Sequence, residues 1–234
     1  MRLQLFEHES IAFPSNIARW AAKRGHKIAH TAVYQRAELP SMDVFDWLIV
    51  AGGSQHVWEE EVHPWLSAEK RFIAQALAEG KVVLGICLGA QLLAKTLGGR
   101  VSANPHVEIG WHEVSLTPAG RQSFLFKQVP DPFMIFHWHS DHFTLPPGCT
   151  RLACNVATAN QAFISRDYPA VGLQFHPDFS RAAIVHFGRH ESHHWGQGPF
   201  NSARETVLSQ TPRMPETDWL MDKLLDNMVQ EYQG

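Results

Sequence analysis

Lys81-Val82-Val83-Leu84-Gly85-Ile86-Cys87-Leu88-Gly89-Ala90-Gln91 is the stretch on which the fold turns. Its first six residues make a short apolar run of the kind that forms a buried strand. Leu88 to Leu97 follow with helical spacing and stop at Gly98-Gly99. Between strand and helix sits Cys87, with glycines two residues away on each side. A nucleophile on such a sharp turn projects from the end of the sheet, and small flanking residues let the backbone pack closely around it. The helix behind the turn directs its positive end at the sulfur and favours thiolate. The amide of Leu88 is placed to stabilise an oxyanion.

Outward from this turn, short apolar runs alternate with helix-period segments, the pattern of a sheet covered by helices. Leu3 to Phe6, Lys27 to Tyr34 and Asp46 to Ala51 read as strands, the last running into Gly52-Gly53. Pro14 to Arg24 and Trp65 to Ala78 read as helices. The middle of the chain changes character, with strands expected over 109–117, 133–137, 150–156, 161–165 and 170–175 and a short helix near 119–125. A helix from about Phe179 carries the chain to His190. Residues 191–215, rich in glycine and proline, read as an irregular connection, and Asp218 to Tyr232 as an amphipathic helix. One domain is expected, with 1–190 as its body and 191–234 packing on it.

Composition narrows the function. The chain has 234 residues, 44% of them hydrophobic, so a core of ordinary size forms without disulfides or metal. Twenty basic residues against 23 acidic ones, with no long Lys/Arg run, argue against nucleic acid as a partner. No apolar stretch approaches a membrane span. The N-terminal Met1 to Glu9 acquires acidic residues too early for a secretory signal. Three cysteines without a Cys-x-x-Cys pair suit a reducing, cytoplasmic setting. There is no phosphate-binding loop and no dinucleotide fingerprint, so no cofactor is expected.

A cysteine nucleophile needs a base. Leu173-Gln174-Phe175-His176-Pro177-Asp178 supplies one at the carboxyl end of another buried strand. In α/β sheets such strand ends converge on one crevice, so His176 is expected to meet Cys87. Asp178 is placed to hold the imidazole in the tautomer the chemistry requires.

Gly85 to Gln91, Gly52-Gly53 and Phe175-His176-Pro177 together resemble the class I, triad-type glutamine amidotransferases, and most closely the free-standing proteins similar to the glutaminase domain of GMP synthase. Glu108-Ile109-Gly110-Trp111, His137-Trp138-His139-Ser140-Asp141 and Leu145-Pro146-Pro147-Gly148 fit that subgroup. The resemblance, covering about residues 1 to 190, implies a flavodoxin-like three-layer sandwich. That fold has a mostly parallel central sheet, helices on both faces and an additional small antiparallel sheet. It also implies that Cys87 attacks the glutamine amide, with His176 as base and then acid. Gly53 and Leu88 would supply the oxyanion hole, and Gly52, Gln91, His139 and Ser140 the glutamine pocket. One residue departs from the family, which usually carries glutamate where this chain has Asp178. A methylene less shortens the reach by roughly 1.5 Å, and a displacement near 1 Å can cost about a hundredfold in rate.

Other signals point elsewhere. His186, His190, His193 and His194 have a spacing that can bind metal, but they read as a solvated helix end and no metal is assigned. Glu108 and Asp141 are candidate acids, Asp141 as a substitute partner for His176. The residues left beyond the glutaminase-like part are too few for a synthetase domain, so a separate acceptor or synthetase protein is the expected partner, one that could order the loop at Gly52-Gly53. A γ-glutamyl hydrolase acting on a γ-glutamyl amide, and a non-catalytic binding module, stand as alternatives.

Overall fold

The computed structural model describes residues 1–10, 15–190 and 195–233, with the His190 side chain left aside. Its strands are β1 (Arg2–Glu7), β2 (Lys27–Ala32), β3 (Trp47–Val50), β4 (Val82–Ile86), β5 (Val101–Leu116), β6 (Phe133–Phe143), β7 (Cys149–Cys154), β8 (Ala162–Ser165) and β9 (Ala170–Leu173). Its helices are α1 (Ser15–Lys23), α2 (Trp65–Ala78), α3 (Leu88–Thr96), α4 (Pro118–Gln122), α5 (Arg181–His190), α6 (Arg204–Ser209) and α7 (Met214–Tyr232).

Among the described residues, nine strands join one sheet in the order β2-β1-β3-β4-β9-β8-β7-β5-β6. The pairs from β2 to β9 are parallel, and those from β9 to β6 are antiparallel. The expected separate antiparallel sheet is therefore an extension of the central one, because β8 pairs with the outer edge of β9. The result is a large mixed sheet rather than a mostly parallel one. β3 and β4 are buried along their whole length, which is why they read as unbroken apolar runs.

Successive side chains of the parallel strands leave the sheet on opposite faces. Leu3, Leu5, Trp47, Ile49 and Leu84 pack with α1 and α7, whereas Phe6, Leu48, Val50 and Val83 pack with α2 and α3. On the first face Arg19 pairs with Asp218 at 2.9 Å, and the Trp20 indole donates to Asp226 at 2.9 Å.

The sequence expectations differ from the structure elsewhere too, and the second strand, expected to Tyr34, ends at Ala32 where Val33–Gln35 form a 3-10 turn. The stretch 191–215 contains α6, whose Val207 is buried against Trp111 and Phe136, so tertiary contact rather than propensity makes it helical. α7 starts four residues earlier than expected, because Pro215 fits a first helical turn, where its missing N–H is no loss. β5 and β6 run longer than their apolar cores, with an irregularity between Ala103 and Glu108.

α7 belongs to the same core as the sheet, and Leu225 is fully buried in it. Leu225→Ala is expected to destabilise the whole protein by ~2–5 kcal/mol in a single cooperative transition. Urea denaturation followed by circular dichroism measures this; a separate early transition would mean that α7 is merely appended.

Candidate active site

Register brings the motifs together. Phe6 pairs with Val50, Val50 with Gly85 and Gly85 with Gly172. Two residues further along each strand stand His8, Gly52, Cys87 and Gln174, at one level just past the carboxyl edge of the sheet. His176 follows, and its N–H donates to the Phe136 carbonyl at 2.8 Å, which anchors it to β6.

Cys87 has φ 52° and ψ −110°, a conformation that L residues rarely adopt. Such geometry costs on the order of 1–3 kcal/mol and persists only where the surroundings hold it. Here the Cys87 N–H donates to Leu173 at 2.8 Å, and the Gly89 N–H to Ala51 at 3.2 Å. A methyl at Gly89 would run into the Val50 backbone, so the residue that starts α3 over β3 must be glycine.

A methyl at Gly52 would stand 2.7 Å from His176 Cε1 and 3.4 Å from Cys87 Cβ, so this glycine lies against both residues, and the Cys87 thiol donates to the Trp138 carbonyl at 3.7 Å. His176 Nδ1 donates to Asp178 Oδ1 at 3.0 Å, with both side chains buried. The shorter aspartate therefore reaches its histidine. Burial alone would lower the His176 pKa, but the charges of Cys87 and Asp178 and hydrogen bonds to both push it up to about 10. Burial pushes the Cys149 thiol up to about 11, which leaves it a poor nucleophile.

Gly52, Gly53, Cys87, Gln91, His139, Ser140 and His176 line one cleft of about 410 Å³. Leu88 and Asp178 are buried behind it. The Gln91 amide donates to the Asp141 carbonyl at 3.3 Å and to Gln174 Oε1 at 3.2 Å. The His139 ring is held by Glu108, its Nε2 lying 3.0 Å from Oε2, and by the Asp141 carbonyl, which accepts from Nδ1 at 2.9 Å. Asp141 is not a partner of His176; it accepts from His56 Nδ1 at 2.6 Å.

Among the described residues, Glu108, His137 and His139 offer ligand atoms within 4.8 Å of one another. Asn155, Thr158 and Gln161 donate to the Glu108 carboxylate. Although burial opposes it, bonding from His139 and Thr158 and the nearby imidazoles hold the Glu108 pKa well below the usual carboxylate range. In the histidine-rich end, His193, His194 and the His190 side chain lie outside the described residues.

Sequence reasoning passed over His8, Glu9, His56 and Glu69. His8 Nδ1 donates to the Gly52 carbonyl at 3.1 Å and Nε2 to Glu69 at 3.0 Å, with both side chains fully buried. Burial lowers the His8 pKa, yet Glu69 and the Gly52 carbonyl outweigh it and raise the pKa overall. Two signals could have found this pair. His8 follows a strand end level with Gly52, and Glu69 interrupts the apolar face Leu66, Ile73, Ala76 of α2 at helical spacing.

A profile of the class-I glutamine amidotransferases matches residues 9–184. This chain belongs to that family. It is 35% identical over 188 residues to the glutamine amidotransferase-like protein YfeJ of Salmonella typhimurium, covering 79% of this chain and 78% of the relative. It is 31% identical over 148 residues to the glutamine-hydrolysing GMP synthase of Aeropyrum pernix. That match takes in 63% of this chain but only 26% of the synthase. The crystal structure of a glutamine amidotransferase from Thermotoga maritima superposes with a TM-score of 0.84 at 25% identity, covering 98% of each chain. None of the helices among the described residues of this family member is long and apolar enough to cross a membrane.

The raised His176 pKa makes a signed expectation. The ordinary value is 6.5, so its stabilising interactions are complete below that pH and are lost as pH rises through about 10. Cys87→Ser removes one of the raising charges, and the His176 midpoint should move down toward neutrality. Titration of the imidazole Cε1–H by NMR measures this; an unmoved midpoint would uncouple the two side chains.

Proposed function

We propose that this chain hydrolyses the side-chain amide of glutamine through a thioester on Cys87. The observation that carries the reading is the meeting of a strained Cys87 with His176 at Gly52, with Asp178 bonded to the far side of the ring. The Cys87 thiolate attacks the amide carbon, and the oxyanion lies against the N–H groups of Gly53 and Leu88. The S–C bond forms as the C–N bond breaks, and imidazolium His176 gives its Nε2 proton to the departing ammonia. Neutral His176 then takes a proton from water, which attacks the thioester and frees glutamate and the thiolate. Asp178 keeps the ring oriented through both steps. Gln91 and Ser140, with the chain at His139, border the space for the glutamate end of the substrate. The ammonia would pass to an acceptor site on a separate synthetase-type protein.

One observation favours a second reading, a γ-glutamyl hydrolase. Beside His176 the cleft is walled by Trp138, Phe179 and Phe187, with the Phe179 ring centroid 4.1 Å from that of His176. Phe179 and Phe187 stack at 5.5 Å. Ammonia needs no aromatic wall, whereas an apolar amine leaving group would use one. The acyl half of the reaction is identical in the two readings.

Ammonia release from L-glutamine and aniline release from a γ-glutamyl anilide test both readings on the unmodified chain. A kcat/KM for the anilide more than tenfold above that for glutamine promotes the hydrolase, and release from neither leaves a non-catalytic binding module. A diazoketone analogue of glutamine is expected to label Cys87, with Cys149 and Cys154 far slower; mapping to either of those overturns the assignment. Cys87→Ser should lose nearly all turnover. Asp178→Asn should retain the fold and lower kcat by roughly 10² to 10⁴-fold.

A further inference from the structure

The Gly52–Gly53 peptide lies between two residues without side chains, so neither of its orientations meets a steric penalty from a Cβ. Something else must select one. In a trans peptide the C=O and N–H point in opposite directions. β1 lies on one side of β3 and β4 on the other. The Ala51 N–H donates across to Phe6 of β1, and the Ala51 carbonyl accepts from Gly89 on the side of Cys87. The next carbonyl, that of Gly52, turns back to the β1 side and accepts from His8. The N–H of the same peptide, carried by Gly53, is thereby turned to the side of Cys87.

We propose that the buried His8–Glu69 pair is a positioning device that fixes the Gly52–Gly53 peptide with its N–H directed at Cys87, so that this chain forms its oxyanion site without a partner to order the loop. Glu69 is what makes His8 able to do this. A singly protonated imidazole between a carbonyl and a carboxylate can donate to only one of them, and the second nitrogen would set its lone pair against an oxygen. With the carboxylate 3.0 Å from Nε2, both nitrogens carry protons and Nδ1–H is available to Gly52. Trp65 stacks on the ring at a centroid distance of 5.4 Å and fixes its plane. On the other side of the peptide, the Ser54 N–H donates to the Glu9 carboxylate at 2.5 Å, so consecutive residues after β1 grip both flanks of the loop. The role rests on the proposed amide hydrolysis through Cys87, whichever amide is cleaved, since an oxyanion donor has a purpose only where an acyl group is attacked.

The test uses the full chain with Glu69→Gln and, separately, His8→Phe, which keeps a flat ring but has no donor. Turnover of L-glutamine and of a γ-glutamyl anilide should fall about 10²–10³-fold in kcat, the loss typical of one oxyanion donor, with KM changed less than about threefold. Alkylation of Cys87 by iodoacetamide forms no oxyanion, and its rate should stay within about twofold, a split that general loosening of the site would not produce. Crystal structures of the variants should show the Gly52–Gly53 peptide rotated. An active unmodified chain whose variants keep kcat within about threefold, or lose alkylation together with kcat, overturns the positioning role alone. An unmodified chain that turns over neither substrate overturns the proposed amide hydrolysis, and this role with it. If both variants fail to fold, the adduct of glutamate γ-semialdehyde with the unmodified chain decides: a Gly53 N–H turned away from the hemithioacetal oxygen sinks the proposal.

Discussion

The parallel register of β1, β3, β4 and β9 is the constraint on which the cleft depends. A slip of one residue in any of these strands would turn its buried side chains to the other face of the sheet. Leu84 would leave the layer of α1 and α7, and Val83 that of α2 and α3. The two apolar layers therefore hold the register, and the register sets His8, Gly52, Cys87 and Gln174 at one level. Groups far apart in sequence become neighbours because the core permits no other pairing.

Against this rigid frame, the site holds features that would be unfavourable alone. Cys87 occupies a backbone conformation that suits few side chains, His176 and Asp178 are ionisable groups buried in the protein, and His8 and Glu69 are fully enclosed. Burying a charge is tolerated only with a partner in good geometry. Each imidazole has one: His176 lies between Cys87 and Asp178, and His8 between the Gly52 carbonyl and Glu69. Both rings have their pKa raised, because nearby negative charges and hydrogen bonds together outweigh desolvation. Two histidine–carboxylate pairs thus stand on opposite sides of the Gly52–Gly53 peptide, one beside the sulfur and one behind the loop.

At Asp178, where the resemblance leads one to expect glutamate, the local backbone brings the shorter side chain within reach of its histidine. His176 and Asp178 are separated by Pro177, and His176 is bonded through its N–H to β6. The Asn16 amide donates to the Pro177 carbonyl at 2.7 Å and ties this turn to α1. So held, the short side chain closes a 3.0 Å bond to Nδ1.

Local chemistry determined a good deal by itself. Unbroken apolar runs mark β3 and β4 because both faces of those strands are covered, and the glycines around Cys87 mark its turn because only a residue without a Cβ lets α3 start over β3. The amidotransferase family was readable as a resemblance carried by Gly85 to Gln91, Gly52-Gly53 and Phe175-His176-Pro177 together. What tertiary structure decided is of another kind. Whether Asp178 reaches His176, that Asp141 pairs with His56 instead, and that the His139 ring turns to Glu108 depend on distances that no spacing encodes. The continuity of the antiparallel strands with the central sheet depends on β8 choosing the edge of β9. α6, within a segment rich in glycine and proline, owes its place to burial of Val207 against Trp111 and Phe136. The His8–Glu69 pair, 61 residues apart, exists only because α2 packs over the end of β1. A sequence states the propensity of each segment, but the partner of a buried polar group is chosen when the layers close.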